Sequence, residues 1–454
     1  MTIRAQRLRR HRSTALRTAA PLVSLVLAAS ACGEAAARGG ATDSIRTAPT
    51  THGAAAPYAT GSLPGSPATG GTSATALTPS AVIAAPATAY TAPGAVSLAP
   101  PLTAAACVDK YFSAMTPAQR VGQLIMGGIS AARPDQAQLR TLRANHVGSI
   151  MLTGRGTAGT RATKTLVDGV QSQADQVGGQ RVGMIVATDQ EGGQVQVLSG
   201  PGFSTMPNGL TQGSWSTTTL RSRAADWAKQ LKAAGVNLDL APVADVVPAG
   251  LGTRNGPIGH FYREYGHTPD VVSSHSIAFA SGFAQSGVMT TFKHFPGLGQ
   301  VLGNTDTTAN VQDTVTSAGS SSLTPFRNGI RAGAPFVMVS LATYTKIDPR
   351  HLAAFSPTVI GQLLRTQLGF KGVVISDDLG NAVAVRSFTP AQRAVNFLAA
   401  GGNMILTVRP DVVPAMTQAI QTRMQQDAGF RAKVNDSVRR ILAAKRDAGL
   451  LVCR

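Results

Sequence analysis

Acidic and basic side chains recur in this sequence at the ends of short apolar runs or in the loops that follow them. Carboxylates, cations and an imidazole are all represented: Asp189, Glu191, Asp245, Arg263, Lys293, His294, Asp306, Asp377 and Asp378. Paired carboxyl groups can divide a reaction between a nucleophile or base and a proton donor, and nearby cations keep the other acids ionised. Such chemistry needs a fold that gathers residues far apart in the chain.

Eight apolar runs alternate with helical stretches from residue 106 onward. The runs cover residues 121–127, 147–152, 182–187, 236–241, 288–292, 336–340, 372–376 and 403–407. Continuous apolar runs of this length are typical of strands covered on both faces, as in a parallel sheet. Helical stretches lie between or after them, for example at 218–234, 357–368 and 411–420. The pattern predicts an α/β fold, a (β/α)8 TIM barrel that forms a single catalytic domain.

An open doubly wound sheet is the alternative with the same alternation of elements. A dinucleotide-binding sheet of that kind carries Gly-x-Gly-x-x-Gly after its first strand, and no such motif follows residues 121–127. In a barrel, the carboxyl ends of all strands meet at one mouth, where enzymes of this fold hold their active sites. We therefore expect the chemistry-bearing residues to converge there.

Each of these residues also has a purely structural interpretation. Asp378 at a strand end can cap a helix, and His294 can be a histidine with satisfied hydrogen bonds. Asp189 or Asp245 can pair with a neighbouring arginine. Their expected location at one rim favours a functional site over separate structural roles.

Several motifs resemble those of glycoside hydrolase family 3 in order and spacing. They are Asp189-Gln-Glu-Gly-Gly, Lys293-His-Phe-Pro-Gly and Ser376-Asp-Asp-Leu, with Asn255-Gly-Pro-Ile-Gly and Arg263-Glu-Tyr-Gly also fitting. The resemblance runs from about residue 110 to the C-terminus. Because no second large domain follows, the chain resembles the single-domain β-N-acetylglucosaminidase (β-hexosaminidase) branch, whose members often act on cell-wall sugars.

The resemblance implies a retaining exo-glycosidase that removes terminal β-linked N-acetylglucosamine from peptidoglycan fragments. Asp377 matches the family's nucleophile, an ionised carboxylate that forms a covalent glycosyl-enzyme, which water later hydrolyses. Lys293 and His294 match donors to the sugar hydroxyls. Asp189 matches an acceptor at the non-reducing end of the sugar, and Arg263 matches a further substrate contact. No cofactor is implied, and neither His nor Cys spacing supports a metal site at the paired aspartates.

The chain departs from the family pattern at the proton donor. The single-domain branch carries a mobile acid/base histidine in an Asp-Ser-His triplet, but the corresponding segment here is Asn304-Thr-Asp. A carboxylic acid can also protonate the leaving oxygen if burial raises its pKa. Asp306 is therefore the predicted general acid/base, and Glu191 is the weaker candidate.

Two further departures concern contacts with the sugar. The two arginines that family members often carry after Gly-Gly are Gln194 and Val197 here, which removes fork-like hydrogen bonds at those positions. Leu341 stands where some relatives have a histidine after the sixth strand. Two alternatives to the leading interpretation therefore stay open. One is a β-glucosidase or β-xylosidase of the same family, and the other is a sugar-binding lipoprotein with impaired catalysis.

The N-terminal part of the chain predicts export. Residues 1–31 combine an arginine-rich start, a short apolar run and small residues, which resembles a bacterial lipoprotein signal with Cys32 as the lipidated mature N-terminus. Simple secretion with removal of Cys32 is the alternative. Residues 32–105 are mainly Ala, Thr, Pro, Gly and Ser, which predicts a disordered tether between a membrane anchor and the catalytic domain at 106–454.

The cysteines and the net charge limit the remaining interpretations. Cys107 and Cys453 lie at the two ends of the predicted domain, so export to an oxidising compartment makes a disulfide between them one interpretation and two free thiols the other. The net charge is +19, but no basic stretch is interleaved with aromatic residues, so we expect no nucleic-acid partner. We expect a monomer whose partners are carbohydrates: β-N-acetylglucosaminides and muropeptides.

Overall fold

Eight parallel strands form the centre of the described part of the chain, residues 102–453 of a computed structural model. They are β1 Ile125–Ser130, β2 Ser149–Thr153, β3 Ile185–Thr188, β4 Leu238–Asp239, β5 Met289–Phe295, β6 Phe336–Val339, β7 Val373–Ser376 and β8 Ile405–Thr407. Neighbours in the chain are neighbours in the sheet, and β8 pairs with β1. The Ser376 N–H donates to the Met404 carbonyl at 3.0 Å, which joins β7 to the residues entering β8. These contacts close the barrel and confirm the predicted fold.

Helices pack around the barrel and link its strands. They are α1 Ala104–Ala114, α2 Pro117–Gln123, α3 Gln136–Ala144, α4 Gly159–Gln171, α5 Gly209–Gly213, α6 Thr217–Ala233, α7 Pro269–Gln285, α8 Thr324–Arg331, α9 Pro390–Ala399, α10 Val413–Gln426 and α11 Ala428–Asp447, with a π-helix at Thr358–Gln367. Thr116 and Thr389 begin α2 and α9 with capping boxes that include Gln119 and Gln392. Proline follows each of these threonines, where its fixed φ and missing N–H suit a first helical turn.

Short elements complete the loops at the strand ends. Two hairpins pair Gln176–Val177 with Gln180–Arg181 and Gln190–Gly192 with Val195–Gln196, and a small sheet joins Gln312–Asp313, Thr343–Tyr344 and Asp348–Leu352. Single 3-10 turns cover Gly252–Arg254, Gly259–Phe261, Ser321–Leu323, Ala353–Phe355, Val383–Val385 and Pro410–Val412. The hairpin after β3 and the turn at Gly259–Phe261 both border the functional site described below.

The first predicted strand begins too early. Residues 121–123 belong to α2, and β1 starts only at Ile125. The strong helix start at Thr116 explains the difference, because Val121 reaches the core from a helix and remains fully buried. The other seven runs each overlap a strand along most of its length. The helices predicted at 218–234, 357–368 and 411–420 correspond to α6, the π-helix and α10.

The two ends of the described chain are joined covalently. Cys107 in α1 and Cys453 form a disulfide with their Cα atoms 5.3 Å apart, which is the pair suggested by their places in the sequence. Beside it, the Tyr111 hydroxyl donates to the Val452 carbonyl and accepts from the Val452 N–H, both at 3.1 Å. Helix α1 begins at Ala104 with Thr103 as its N-cap, so the folded part starts two residues before the predicted start of the domain at residue 106.

Three predictions concern residues that the structure does not describe. The signal at 1–31, the lipidation site Cys32 and the tether up to residue 101 lie outside the described residues. Between residues 102 and 453, no helix combines the length and apolar character needed to cross a bilayer.

Candidate active site

An open cavity of about 540 Å³ lies at the carboxyl ends of the barrel strands. The predicted site residues that line it are Asp189, Arg263, Lys293, His294, Asp306 and Asp377. The structure thus brings together side chains from the loops or ends of β3, β4, β5 and β7, at the mouth where barrel enzymes work. A larger groove of about 1000 Å³ lies at the opposite end of the barrel, beside α1 and α11, and none of these residues lines it.

Lys293 is the centre of a buried ion-pair network. It lies in β5 with 3% of its side chain exposed, and its Nζ is 2.5 Å from Asp189 Oδ1 and 2.6 Å from Glu191 Oε1. Burial alone would lower the pKa of Lys293, but the charges of Asp189 and Glu191 raise it above its usual value. Lys293 therefore stays protonated and fixes the orientation of Asp189, whose carboxylate reaches the cavity.

Glu191 is held from its other side by Arg263. The Nε and Nη2 groups of Arg263 donate to the two carboxylate oxygens at 2.8 and 2.7 Å. Burial alone would raise the pKa of Glu191, but Arg263 and Lys293 together lower it to about 2. The expectation that Glu191 is a secondary acid/base is therefore wrong, because a carboxylate paired with two cations holds no proton near neutral pH.

His294 is oriented by the buried carboxylate of Asp245. Nδ1 of His294 donates to Asp245 Oδ2 at 2.7 Å, and the His294 backbone N–H donates to Oδ1 at 3.2 Å. Oδ1 also accepts the Leu298 N–H at 2.7 Å, which attaches the loop after β5 to the same carboxylate. The second ring nitrogen, Nε2, lies 3.5 Å from Arg263 Nη2 at the cavity wall. Asp245 thus pairs with a histidine and not with an arginine.

The two adjacent aspartates after β7 differ in their surroundings. Asp378 accepts three backbone N–H groups at 2.8 to 3.0 Å, from Gly380, Asn381 and Val408. It caps the turn after the strand and not a helix, so its role is structural but differs from the predicted helix cap. Among the described residues, Asp377 accepts a hydrogen bond only from the Asp378 N–H, at 2.8 Å, and its own N–H donates to the Val339 carbonyl of β6 at 3.0 Å. The strand therefore fixes Asp377 firmly while its carboxylate stays half-buried at the cavity.

Two buried side chains hold the first part of the loop after β5. The Asn255 Nδ2 group donates to the carbonyl oxygens of Leu298 and Val301 at 2.7 and 2.8 Å. The Tyr344 hydroxyl donates to the Gly297 carbonyl at 2.8 Å. These contacts attach the loop to the segments that follow β4 and β6, and so restrict where its later residues can stand.

Asp306 lies further along the same loop, near Asp377. Its carbonyl accepts the Val383 N–H at 3.1 Å, and its N–H donates to Asn304 Oδ1 at 2.9 Å. Because Val383 follows Asp377 in the loop after β7, neighbouring segments hold the two carboxyl groups. Burial and the negative charge of Asp377 raise the pKa of Asp306 to about 6. Asp306 is still open to solvent at the rim, so it can exchange a proton near neutral pH.

Arg155 also lines the cavity, although the sequence-based prediction omitted it. Its Nη1 and Nη2 groups donate to the carbonyl oxygens of Gln196 and Gln194 at 2.7 and 2.6 Å. A guanidinium from the loop after β2 therefore stands beside the hairpin that lacks the family's two arginines. Its place directly after a predicted strand was the signal that could have identified it. Leu341, by contrast, is fully buried and adds no polar group.

The cavity offers a carboxylate and a carboxylic acid for one reaction. Asp377 is free to attack an electrophilic carbon, and Asp306 can carry the proton that a leaving oxygen needs. Lys293, His294 and Asp189 supply fixed donors and an acceptor for hydroxyl groups. Within residues 102–453, no cluster of three or more His, Cys, Asp or Glu side chains could hold a metal ion.

Known proteins are similar to this chain in sequence and in fold. The family model described as glycosyl hydrolase family 3 N-terminal domain matches residues 116–444. A β-hexosaminidase of Stenotrophomonas maltophilia is 31% identical over 316 residues, which cover 68% of this chain and 90% of that protein. A β-hexosaminidase of Xanthomonas oryzae pv. oryzae is 34% identical over 255 residues, which cover 54% and 74% of the two chains.

Solved structures agree with these sequence relationships. The β-N-acetylhexosaminidase from Beutenbergia cavernae is 46% identical with a TM-score of 0.72, over 73% of this chain and 99% of that chain. A family 3 β-N-acetylglucosaminidase from a Paenibacillus species is 27% identical with a TM-score of 0.66, over 74% and 63% of the two chains. The chain therefore belongs to glycosyl hydrolase family 3, in its β-N-acetylhexosaminidase branch.

Proposed function

We propose that the chain is a retaining exo-β-N-acetylglucosaminidase that acts on peptidoglycan fragments. The observation that carries the proposal is the pair of carboxyl groups in one cavity, Asp377 and Asp306, of which Asp306 has a pKa raised to about 6. The relatives named β-hexosaminidase and β-N-acetylhexosaminidase support a terminal N-acetylhexosamine, and the Paenibacillus relative named β-N-acetylglucosaminidase supports N-acetylglucosamine.

Asp377 is the nucleophile of the first step. One of its carboxylate oxygens attacks C1 of the sugar and forms an ester bond while the bond from C1 to the leaving oxygen breaks. Asp306 gives its proton to that oxygen, so the leaving group departs as an alcohol and Asp306 becomes a carboxylate. The raised pKa of Asp306 suits this role, because the group still holds a proton in mildly acidic solution.

Water completes the reaction in the second step. The Asp306 carboxylate removes a proton from a water molecule, whose oxygen attacks C1 and displaces Asp377. Each attack inverts the configuration at C1, so two attacks leave the product in the β configuration of the substrate. Asp377 is again ionised and Asp306 again protonated, so the enzyme is ready for another cycle.

The other predicted residues bind the terminal sugar. Lys293 and His294 donate hydrogen bonds to its hydroxyl groups, and Asp189 accepts one at the non-reducing end. Arg263 contributes less directly than the family resemblance implies, because Glu191 already occupies two of its donor groups. The ion pairs around Lys293 hold these side chains in place before substrate arrives, which lowers the entropic cost of binding.

A panel of nitrophenyl β-glycosides tests the reaction and the sugar together. We expect the N-acetylglucosaminide to be hydrolysed with a much higher kcat/KM than the glucoside or the xyloside, and Asp377→Ala to abolish turnover. Preference for the glucoside or xyloside would support the alternative specificity. Binding of muropeptides in a calorimeter without turnover would support the sugar-binding alternative. Equal rates for the wild type and Asp377→Ala would disprove the proposed mechanism.

We also propose that the enzyme is exported and held at the outer face of the cell membrane by a lipid on Cys32. The support is the sequence pattern of residues 1–31 and the length of the tether that follows. Fractionation of expressing cells tests it: the wild type should sediment with membranes, and Cys32→Ser should not. Sedimentation of both to the same extent would contradict the anchor. Light scattering of the soluble variant should give the mass of a monomer.

A further inference from the structure

Phe261 is the one benzene ring among the described residues that line the cavity. It ends the 3-10 turn Gly259–Phe261, in the loop after β4 that also carries Arg263. The side chain is half-buried, and the His260 ring meets it edge-on, with the ring centroids 4.8 Å apart and the planes at 89°. The ring thus packs on one neighbouring ring, and the reaction described above gives it no role.

The loop of Phe261 packs directly against the loop of Asp306. The Gly256 N–H donates to the Leu302 carbonyl at 3.1 Å. A Cβ atom at position 256 would lie 2.5 Å from that oxygen and 3.4 Å from the Asn304 nitrogen, so only glycine permits this approach. The aromatic ring and the proton donor are thus on adjacent loops of one cavity.

The position of the proton donor determines where the leaving group lies. Asp306 must contact the glycosidic oxygen, so the part of the substrate beyond that oxygen extends past the loop of Asp306. Asp189 and Lys293 lie in the hairpin after β3 and in β5, where they bind the terminal sugar. A leaving group that passes the Asp306 loop therefore meets the neighbouring loop and the half-exposed ring of Phe261.

We propose that Phe261 is the platform of a leaving-group subsite that takes a pyranose ring. One face of a β-linked hexosamine carries mainly C–H groups, and such a face packs on an aromatic ring without losing hydrogen bonds to water. The ligand class is a sugar aglycone, such as the second hexosamine of chitobiose or a muropeptide. This inference rests on the proposed function, and it predicts preference for saccharide leaving groups over small ones.

Two substrates that differ only in the leaving group test the platform. N,N′-diacetylchitobiose releases a sugar, whereas N-acetyl-β-glucosaminyl fluoride releases a single atom. We expect Phe261→Ala to lower kcat/KM for chitobiose by about tenfold and to leave kcat/KM for the fluoride within about twofold. Phe261→Leu, which keeps apolar volume without a ring, should behave like Phe261→Ala. Phe261→Trp should retain the wild-type preference.

Tyr262→Ala is the matched control for Phe261→Ala. Tyr262 is the next residue in the loop, has 43% of its surface exposed and does not line the cavity. Removal of its side chain should therefore leave kcat/KM unchanged for both substrates. If Phe261→Ala lowered kcat/KM equally for both substrates, or left kcat/KM for chitobiose unchanged, the platform would be overturned. Thermal unfolding of each variant shows whether it is folded. If Phe261→Ala is not folded, Phe261→Leu takes its place in the test. If the wild type hydrolyses neither substrate, the proposed function itself fails, a result distinct from any change among the Phe261 variants.

Discussion

At the scale of single residues, the neighbours of each acid decide its protonation. Glu191 and Asp306 are both carboxyl groups at the same cavity, yet the pKa of Glu191 falls to about 2 and that of Asp306 rises to about 6. Glu191 contacts two cations, which lower its pKa, whereas burial and then the negative charge of Asp377 raise the pKa of Asp306. One acid therefore stabilises the site, and the other can transfer a proton.

Replacement of Asp306 should lower kcat/KM most for substrates whose leaving group must be protonated as it departs. We expect Asp306→Ala to lower kcat/KM for chitobiose by about 100-fold or more, and to change kcat/KM for dinitrophenyl N-acetylglucosaminide only slightly. The wild-type kcat/KM for chitobiose should fall as the pH rises through about 6, because Asp306 then loses its proton. Asp306→Asn should lack that decline. Equal slowing of both substrates would remove Asp306 from the acid/base role.

Replacement of Arg155 should lower kcat/KM whatever the leaving group of the substrate. It supports the hairpin next to Asp189 and presents a guanidinium to the cavity. We expect Arg155→Ala to lower kcat/KM about tenfold for both chitobiose and the fluoride, and Arg155→Lys to recover little, since lysine lacks the planar fork. Arg221→Ala, on the exposed face of α6, is the control. Wild-type kinetics in Arg155→Ala would contradict this role.

The sequence predicted the members of the site better than their interactions. Asp189, Lys293 and His294 were identifiable because each follows or ends an apolar run in a recognisable motif. The doubly paired state of Glu191 was not, since its partners stand far along the chain and meet it only in the closed barrel. The place of Arg155 after a predicted strand could have identified it as a site residue, but its bonds to backbone carbonyls could not be predicted, because they leave no pattern in the sequence.

At the scale of elements, the loop after β5 is attached to the loops that follow three other strands. Asn255, Tyr344 and Val383 attach it to the loops or segments after β4, β6 and β7. These attachments determine the position of Asp306 relative to Asp377. None of them was foreseeable from the chain, because each joins a side chain or N–H to a carbonyl in a different loop.

Removal of the Tyr344 hydroxyl should loosen this loop without disturbing the nucleophile. Tyr344→Phe deletes the donor to the Gly297 carbonyl and the 2.9 Å contact with Ser340. We expect the stability to fall by about 1–2 kcal/mol and kcat for chitobiose to fall several-fold. The kcat/KM for the fluoride, whose departure in the first step needs no proton donor, should stay close to that of the wild type. A selective loss on the fluoride would contradict the assignment of this loop to proton transfer.

At the scale of the whole molecule, the alternation of strands and helices predicted a parallel α/β fold, and the closed sheet then decides for the barrel over an open doubly wound sheet. Seven of the eight apolar runs overlap a strand along most of the strand's length, and in the first run the strand starts late because the helix that begins after Thr116 extends to Gln123. The order of strands in the sheet follows their order in the chain, as in a (β/α)8 barrel, where each strand is followed by a helix and then by the neighbouring strand. The covalent link between Cys107 and Cys453 then closes the ends of the domain.

Loss of that link should weaken the domain but spare its chemistry. The two cysteines are 346 residues apart in sequence, so the disulfide greatly restricts the unfolded chain. We expect Cys107→Ser/Cys453→Ser to lower the free energy of unfolding by about 2–5 kcal/mol in denaturant titrations. The activity of the folded variant should be unchanged. An identical unfolding midpoint in the variant and the oxidised wild type would contradict the stabilising role.

Covalent trapping is the most direct test of the central claim that Asp377 becomes glycosylated. A 5-fluoro analogue of N-acetylglucosaminyl fluoride slows release of the sugar from the enzyme, so the intermediate accumulates and can be digested for mass spectrometry. We predict one added sugar, located on Asp377, and no adduct in Asp377→Asn. An adduct on any other side chain would contradict the mechanism.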